Sequence, residues 1–338
     1  MTAPPAGVLE ELDGGLIRPH PAPPRAMAWP RAMAAASDVA ASRPRLWVFA
    51  LLAFLARGGL VALVVPMLVL PTFVGLSNTV GPTSVTAAGP TARLIAMVAT
   101  WLGIALGAIV GGTFIAAAAE VALYRATVAP GSDRAWSGFP SGLIAATAPA
   151  SRGIAPRVAA VRLVLLLPVA IALAAAVPAW VQVAYRELLL PTDLAVPLPV
   201  RVIAGAPLPS AVVVAAWLAA EVLGGLAARR IALRGSSVAG SLRAGAGDVA
   251  RAPVSAFLTL MVAIVGSLLL LVPAVVVVGV AWDHARIALV DGTDAAGIIL
   301  GTLVLAAVWA GCLVAAGIAA AWRSVLWTAE LARRAAAG

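Results

Sequence analysis

The chain has 338 residues, 62% of them hydrophobic and only 11% charged. Soluble domains carry about 25% charged residues, and at this length surface-to-volume scaling leaves no way to hide so much apolar surface from water. The net charge of +9 comes entirely from arginine. Arginines set between apolar runs are orientation signals in membrane proteins, so the high charge does not point to nucleic acid.

Residues 1–44 open with "TAPPAGVLEELDGGLIRPHPAPPR". Its Pro, Gly and charge content predicts a mostly disordered cytoplasmic tail, with an interfacial helix near 31–42. Glu10, Glu11 and Asp13 stand where a cleavable signal would be basic and then apolar. Residues 45–328 read as the membrane domain and 329–338 as a short cytoplasmic tail.

Six hydrophobic segments follow in order: Leu46–Leu76, Leu94–Leu123, Val158–Tyr185, Ser210–Ala228, Val254–Ala281 and Gly297–Trp322. A helix of roughly 20 apolar residues crosses a bilayer core of about 30 Å. The expected fold is all-α and polytopic, with six transmembrane helices. Pro66, Pro168 and Pro273 should kink their helices without breaking them.

Arginine placement sets the expected orientation. Seventeen of the 23 arginines fall in the amino-terminal tail, the second–third and fourth–fifth connections and the carboxyl end; Arg93, Arg186, Arg201 and Arg286 fall opposite. The positive-inside rule then puts both termini in the cytoplasm of a multi-pass plasma-membrane protein. Trp47, Tyr124, Trp322 and Trp327 are expected at the inner boundary and Trp180, Tyr185 and Trp282 at the outer one, as interfacial rings or simply as packed aromatics.

"SDVAASRPRLW", "ASRGIAPRVAA" and "GDVARAPVSAF" precede the first, third and fifth segments. Pro66, Pro168 and Pro273 mark the odd segments, and Trp101, Trp217 and Trp309 the even ones. The pattern suggests three parallel helical hairpins, each preceded by a short cytoplasmic interfacial helix. Chance similarity in an Ala-, Val- and Leu-rich chain is the competing reading. "SSVAGSLRAGAGDVARAP" reads either as a weakly amphipathic basic helix on the inner leaflet or as a solvated loop.

Four ionisable residues lie within the segments: Arg57, Glu120, Arg162 and Glu221. An Arg at mid-helix costs about 2.5–3.5 kcal/mol on insertion, and such residues face the protein interior. Counted from the nearest cytoplasmic arginine, Glu120 and Arg162 are roughly 7–8 Å deep, Glu221 about 12 Å and Arg57 about 18 Å. These depths pair Glu120 with Arg162, and Arg57 with Glu221 if Arg57 snorkels toward its own interface. The pairs either fix helix register or line a substrate pathway.

Gly103, Gly107 and Gly111 form a glycine zipper on the second segment, for packing within the chain or for dimerisation; Gly297 and Gly301 repeat the spacing. The lone Cys312 reads as a small packing residue. His284, in "WDHARIALVDGTD", reads as part of a hydrated outer hairpin loop with at most weak cation binding. The chain holds no nucleotide or zinc-protease motif and no membrane histidine to activate a serine. No catalytic residue, metal site or cofactor is expected.

The stretches "RPRLWVFALLAFLARGGLVALVVPMLVLPT" and "SLRAGAGDVARAP" resemble six-helix bacterial membrane proteins and the membrane domain attached to some glycerophosphodiester phosphodiesterases. Activity in that enzyme family resides in a separate soluble domain without counterpart in these residues. The resemblance therefore implies an accessory membrane role and carries over no catalytic residue. Two functions stand as expectations. The first is a non-enzymatic scaffold or accessory subunit whose partners are the bilayer and another protein or a second copy. The second is a permease or transporter subunit for a small anionic or lipid-like substrate, working through Arg57 and Glu221.

Overall fold

The computed structural model describes residues 29–64, 67, 85–86, 89–128, 153–193, 195–290 and 295–335. Nine helices occur among them: α1 (Trp29–Ser42), α2 (44–64), α3 (Ala92–Thr127), α4 (Ile154–Leu189), α5 (Leu198–Gly205), α6 (Pro207–Arg234), α7 (Val238–Arg251), α8 (Pro253–Val290) and α9 (Ala295–Ala335). A two-residue antiparallel pairing, Val85–Thr86 with Gly89–Pro90, precedes α3. Six helices, α2, α3, α4, α6, α8 and α9, are long and apolar enough to cross a membrane. The protein is a multi-pass α-helical membrane protein.

The six long helices make a ring in the order α2, α3, α4, α6, α8, α9, closing back onto α2. Consecutive helices run in opposite directions, so each pair α2/α3, α4/α6 and α8/α9 is a hairpin. Five of the six seams are well packed; α6 against α8 is the sparse one. The tight core sits at one end, where Leu46, Val158, Leu226, Leu260, Leu326 and Leu331 are fully buried. That end also holds most of the arginines. At the other end the helices part, and every residue of α3 from Ile95 to Gly111 is exposed.

Caps and ion pairs lock the arginine-rich end. Ser237 accepts the amide of Gly240 at 3.2 Å and starts α7, as expected of an N-cap serine. Arg230 pairs with Asp248, which fastens α7 to α6. Arg334 donates to the carbonyl of Asp248 at 2.5 Å and to that of Ala252 at 3.3 Å, across the break between α7 and α8. Glu330 is fully buried and accepts from Ser255, Arg333 and Arg334. The segment 329–338 is therefore not a tail as far as Ala335: its first residues, Leu331 and Ala332 among them, are core. These last turns of α9 can bury because the arginines around them find carboxylate and carbonyl partners.

The helix expected near 31–42 is α1, which packs on α9 through Ala32, Ala36 and Val39. Residues 1–28 and 129–152, the latter preceding α4 where a further interfacial helix is expected, lie outside the described residues, as do Pro66 and Leu76. Pro168 and Pro273 sit inside continuous helices. "WDHARIALV" is the last part of α8 rather than a loop, and His284 Nδ1 lies 2.8 Å from the Val280 carbonyl one turn back. Asp291 and Asp294 lie outside the described residues, among which no cluster of metal-ligating side chains occurs.

Candidate functional site: a charged cavity on the ring axis

The sharpest local feature is in α2. A single π-helical turn, Leu55–Gly59, interrupts it, with Arg57 at φ −90°, ψ 17° and Gly58 at φ +94°, ψ 2°. Only glycine enters that left-handed region without cost. A Cβ at Gly58 would meet nothing within 4 Å, so backbone conformation, not space, demands glycine here. The kink turns Arg57 to the ring axis. On α3, Gly112 lies against the carbonyl of Ala56, where a Cβ would overlap it. Close backbone approach through glycine is a packing device of membrane helices.

Around the axis is a cavity of about 350 Å³ to which all six long helices contribute. Its charged lining is Arg57 from α2, Glu120 from α3, Arg162 from α4, Glu221 and Arg229 from α6, and Arg323 from α9. Arg57 bridges the two acids: its Nη1 donates to Glu120 Oε1 at 3.0 Å, and its Nη2 to Glu221. Arg162 also grips Glu120, with Nη2 on Oε1 at 2.9 Å and Nε on Oε2 at 3.3 Å. Arg323 holds the second oxygen of Glu221. Both pairings expected from depth are present, joined by Arg57 into one network.

Arg162 is 8% exposed and Glu120 4%. At these burial levels an unpaired charge is prohibitive, which is why the fork geometry of Arg on carboxylate recurs. Gly224 makes room for Arg162, since a Cβ there would collide with Nη1. Arg229 differs. It is buried among neutral acceptors: the Gly225 carbonyl at 2.8 Å, the Ser324 carbonyl at 3.0 Å and Thr328 Oγ1 at 3.2 Å. Its guanidinium also lies 4.3 Å from the centre of the Tyr124 ring, a cation–π contact. Among the described residues it makes no ion pair with a carboxylate.

Four guanidiniums therefore face two carboxylates, an excess of two positive charges. The side chains of Arg57 and Arg323 stay about one-third exposed, at 32% and 31%. They can reach a further partner without leaving the ones they have.

Arg229 and Arg323 are the residues that reading by orientation signals misses. Both count as boundary arginines in sequence, yet α6 runs on to Arg234 and α9 to Ala335. Measured from Arg234, Glu221 is thirteen residues in, as Arg57 is from Pro44. Counted from these helix ends the two lie equally far along, roughly 20 Å, and they pair without a difference in level. A spacing signal was available. Arg57, Arg162 and Ser267 stand 105 and 105 residues apart, and Glu120, Glu221 and Arg323 stand 101 and 102 apart. All six line the cavity. Tyr124, Gly225 and Trp327 follow the same 101 and 102 spacing and line it too.

The tryptophan correspondence does not share that register: Trp101, Trp217 and Trp309 lie 19, 4 and 14 residues from the cavity residue of their own helix. Tyr124 and Trp327 are buried cavity walls rather than boundary rings, and Trp47 Nε1 donates to the Ala40 carbonyl at 2.7 Å. The zipper glycines Gly103, Gly107 and Gly111 face outward, with nothing within 4 Å of an added Cβ among the described residues. The glycine that packs is their neighbour Gly112, one position around the helix. Cys312 is buried beside Leu63 and Val278, a packing position.

Class follows from this geometry: a six-helix membrane protein with an arginine-rich cavity inside its ring. Comparison with protein-family models, curated proteins and solved structures finds no match for the chain.

Proposed function

We propose that this protein binds an anionic ligand within the membrane and serves as a permease or lipid-handling subunit, with Arg57 and Glu221 at its centre. The observation that carries the reading is the excess of two positive charges around an open cavity. A scaffold built on ion pairs alone would balance its charges and fill the space, because uncompensated buried charge only costs stability. An anion-binding site leaves the surplus to its ligand. The reading includes the orientation with both termini, α1 and α7 on the cytoplasmic side, where α1 and α7 are interfacial helices against an anionic leaflet. It also includes three hairpin copies, each placing a charged or hydroxyl-bearing cavity residue at one matched position of its outgoing span and a charged one at a matched position of its return span.

The test is native mass spectrometry of the full chain released from the membrane in which it was made. An anionic species should travel with the wild type and be lost from the Arg57→Ala, Arg323→Ala double variant, whose cavity keeps no surplus charge. Bare protein in both samples would defeat the reading.

The exposed face of Gly103, Gly107 and Gly111 favours a second reading, in which two copies pair as a scaffold through α3. Because Cys312 is buried, oxidation of a Gly107→Cys variant should give a disulfide-linked dimer in membranes. A monomer under those conditions would remove this reading.

A further inference from the structure

We infer that the ligand of this cavity carries a doubly charged phosphate group, of the phosphate-monoester type, and that an apolar tail leaves through the seam between α6 and α8. The inference rests on the anion-binding reading above and specifies its ligand.

The cavity charges follow the order of the hairpins. The three networked guanidiniums on the cavity come one from each hairpin: Arg57 from α2/α3 and Arg323 from α8/α9, each about one-third exposed, and the more buried Arg162 from α4/α6. The third hairpin exchanges the roles of its two positions, with Ser267 where the others have arginine and Arg323 where they have glutamate. That exchange supplies one of the two surplus charges, since the third copy brings a cation and no acid; Arg229 supplies the other. Three donors spread around one axis match the three terminal oxygens of a phosphate monoester, whose own threefold axis is the ester bond. A planar carboxylate or a phosphodiester offers two such oxygens.

Charge selects the same group. A phosphate monoester dianion cancels the surplus of two, and neutrality matters most where the surroundings are of low dielectric. Arginine's planar fork suits phosphate oxygens.

The ring leaves one route out. Five seams of the ring are closed by packed side chains, while α6 and α8 barely meet. The cavity residues on either side of that seam are Trp217, 43% exposed, and Ser267 and Leu271. All three lie inside the spans, so whatever leaves there enters hydrocarbon. An acyl or prenyl chain can do so and a hydrated ion cannot.

The experiment measures binding to the full chain in nonionic micelles at pH 8 with four probes: dihexanoyl phosphatidic acid, dihexanoyl phosphatidylglycerol, inorganic phosphate and hexanoate. Phosphatidic acid should bind at least about tenfold more tightly than phosphatidylglycerol of the same chains, the loss of one charge-assisted contact. Arg323→Gln should weaken phosphatidic acid by a similar factor. Glu221→Gln should strengthen it, because it frees Arg57 and Arg323 and adds to the surplus; a merely structural acid would not act in that direction. Inorganic phosphate binding as tightly as phosphatidic acid would assign the site to free phosphate and overturn the tail. Phosphatidylglycerol or hexanoate binding as well as phosphatidic acid would overturn the phosphate class while leaving an anion site. No binding of any probe would remove both the class and the reading beneath it.

Discussion

At the scale of single residues, Glu120 holds the network together. Its Oε1 takes donors from both Arg57 and Arg162, and it is the more buried of the two acids. Glu120→Gln leaves Arg162 buried with its charge uncompensated, and breaking such a pair from one side costs about 3–5 kcal/mol. Arg57→Gln should cost far less, because Arg57 is partly exposed and both acids keep another arginine. Thermal unfolding in detergent should therefore rank Glu120→Gln well below Arg57→Gln, and equal losses would contradict the network. Gly58→Ala tests the kink. With φ at +94° and open space around it, the substitution should cost roughly 1–2 kcal/mol of backbone strain, and Gly58→Asn should cost less, since Asn tolerates the left-handed region.

At the scale of elements, α3 has two different halves. From Thr113 to Thr127 it packs on α2 and α4 and delivers Glu120, while from Ile95 to Gly111 it is exposed. Gly112 sits at the hinge between these halves, against the Ala56 carbonyl. Gly112→Leu should push α3 from the π turn and separate Glu120 from Arg57. Gly107→Leu, one and a half turns away and facing outward, should leave the fold untouched. A cysteine-accessibility or unfolding comparison in which the two behave alike would contradict this division. The α7–α8 junction makes a similar case. Glu330→Gln weakens the grip on Arg333 and Arg334, and Arg334 in turn spans Asp248 and Ala252. Limited proteolysis should then cut between α7 and α8, where the wild type resists.

At the scale of the whole molecule, the even number of crossings puts α1 and the end of α9 on one side, together with α7. In a Cys312→Ser background, a membrane-impermeant thiol reagent should label Ala41→Cys and Ala246→Cys from the cytoplasmic side and Leu190→Cys from the other. Labelling of Ala41→Cys and Ala246→Cys from outside would invert the orientation without disturbing the ring.

Much of this was legible in sequence. Helix class, the number of long apolar helices, the four intramembrane charges and two of their pairings follow from apolar length and from the cost of charge in hydrocarbon, both of which act locally along the chain. Arg229 and Arg323 both look like boundary signals and both line the cavity. The 102-residue spacing from Glu221 was a signal in sequence for Arg323; for Arg229 tertiary structure alone decided, because its partners Ser324 and Thr328 are far away in sequence. It also decided that "RGG" is a π turn, that the zipper glycines face out while Gly112 packs, and that three hairpins bring an unbalanced set of charges onto one axis. Hydropathy averages over windows of about 20 residues, whereas a cavity depends on the facing of individual side chains, and that is fixed only when the helices meet.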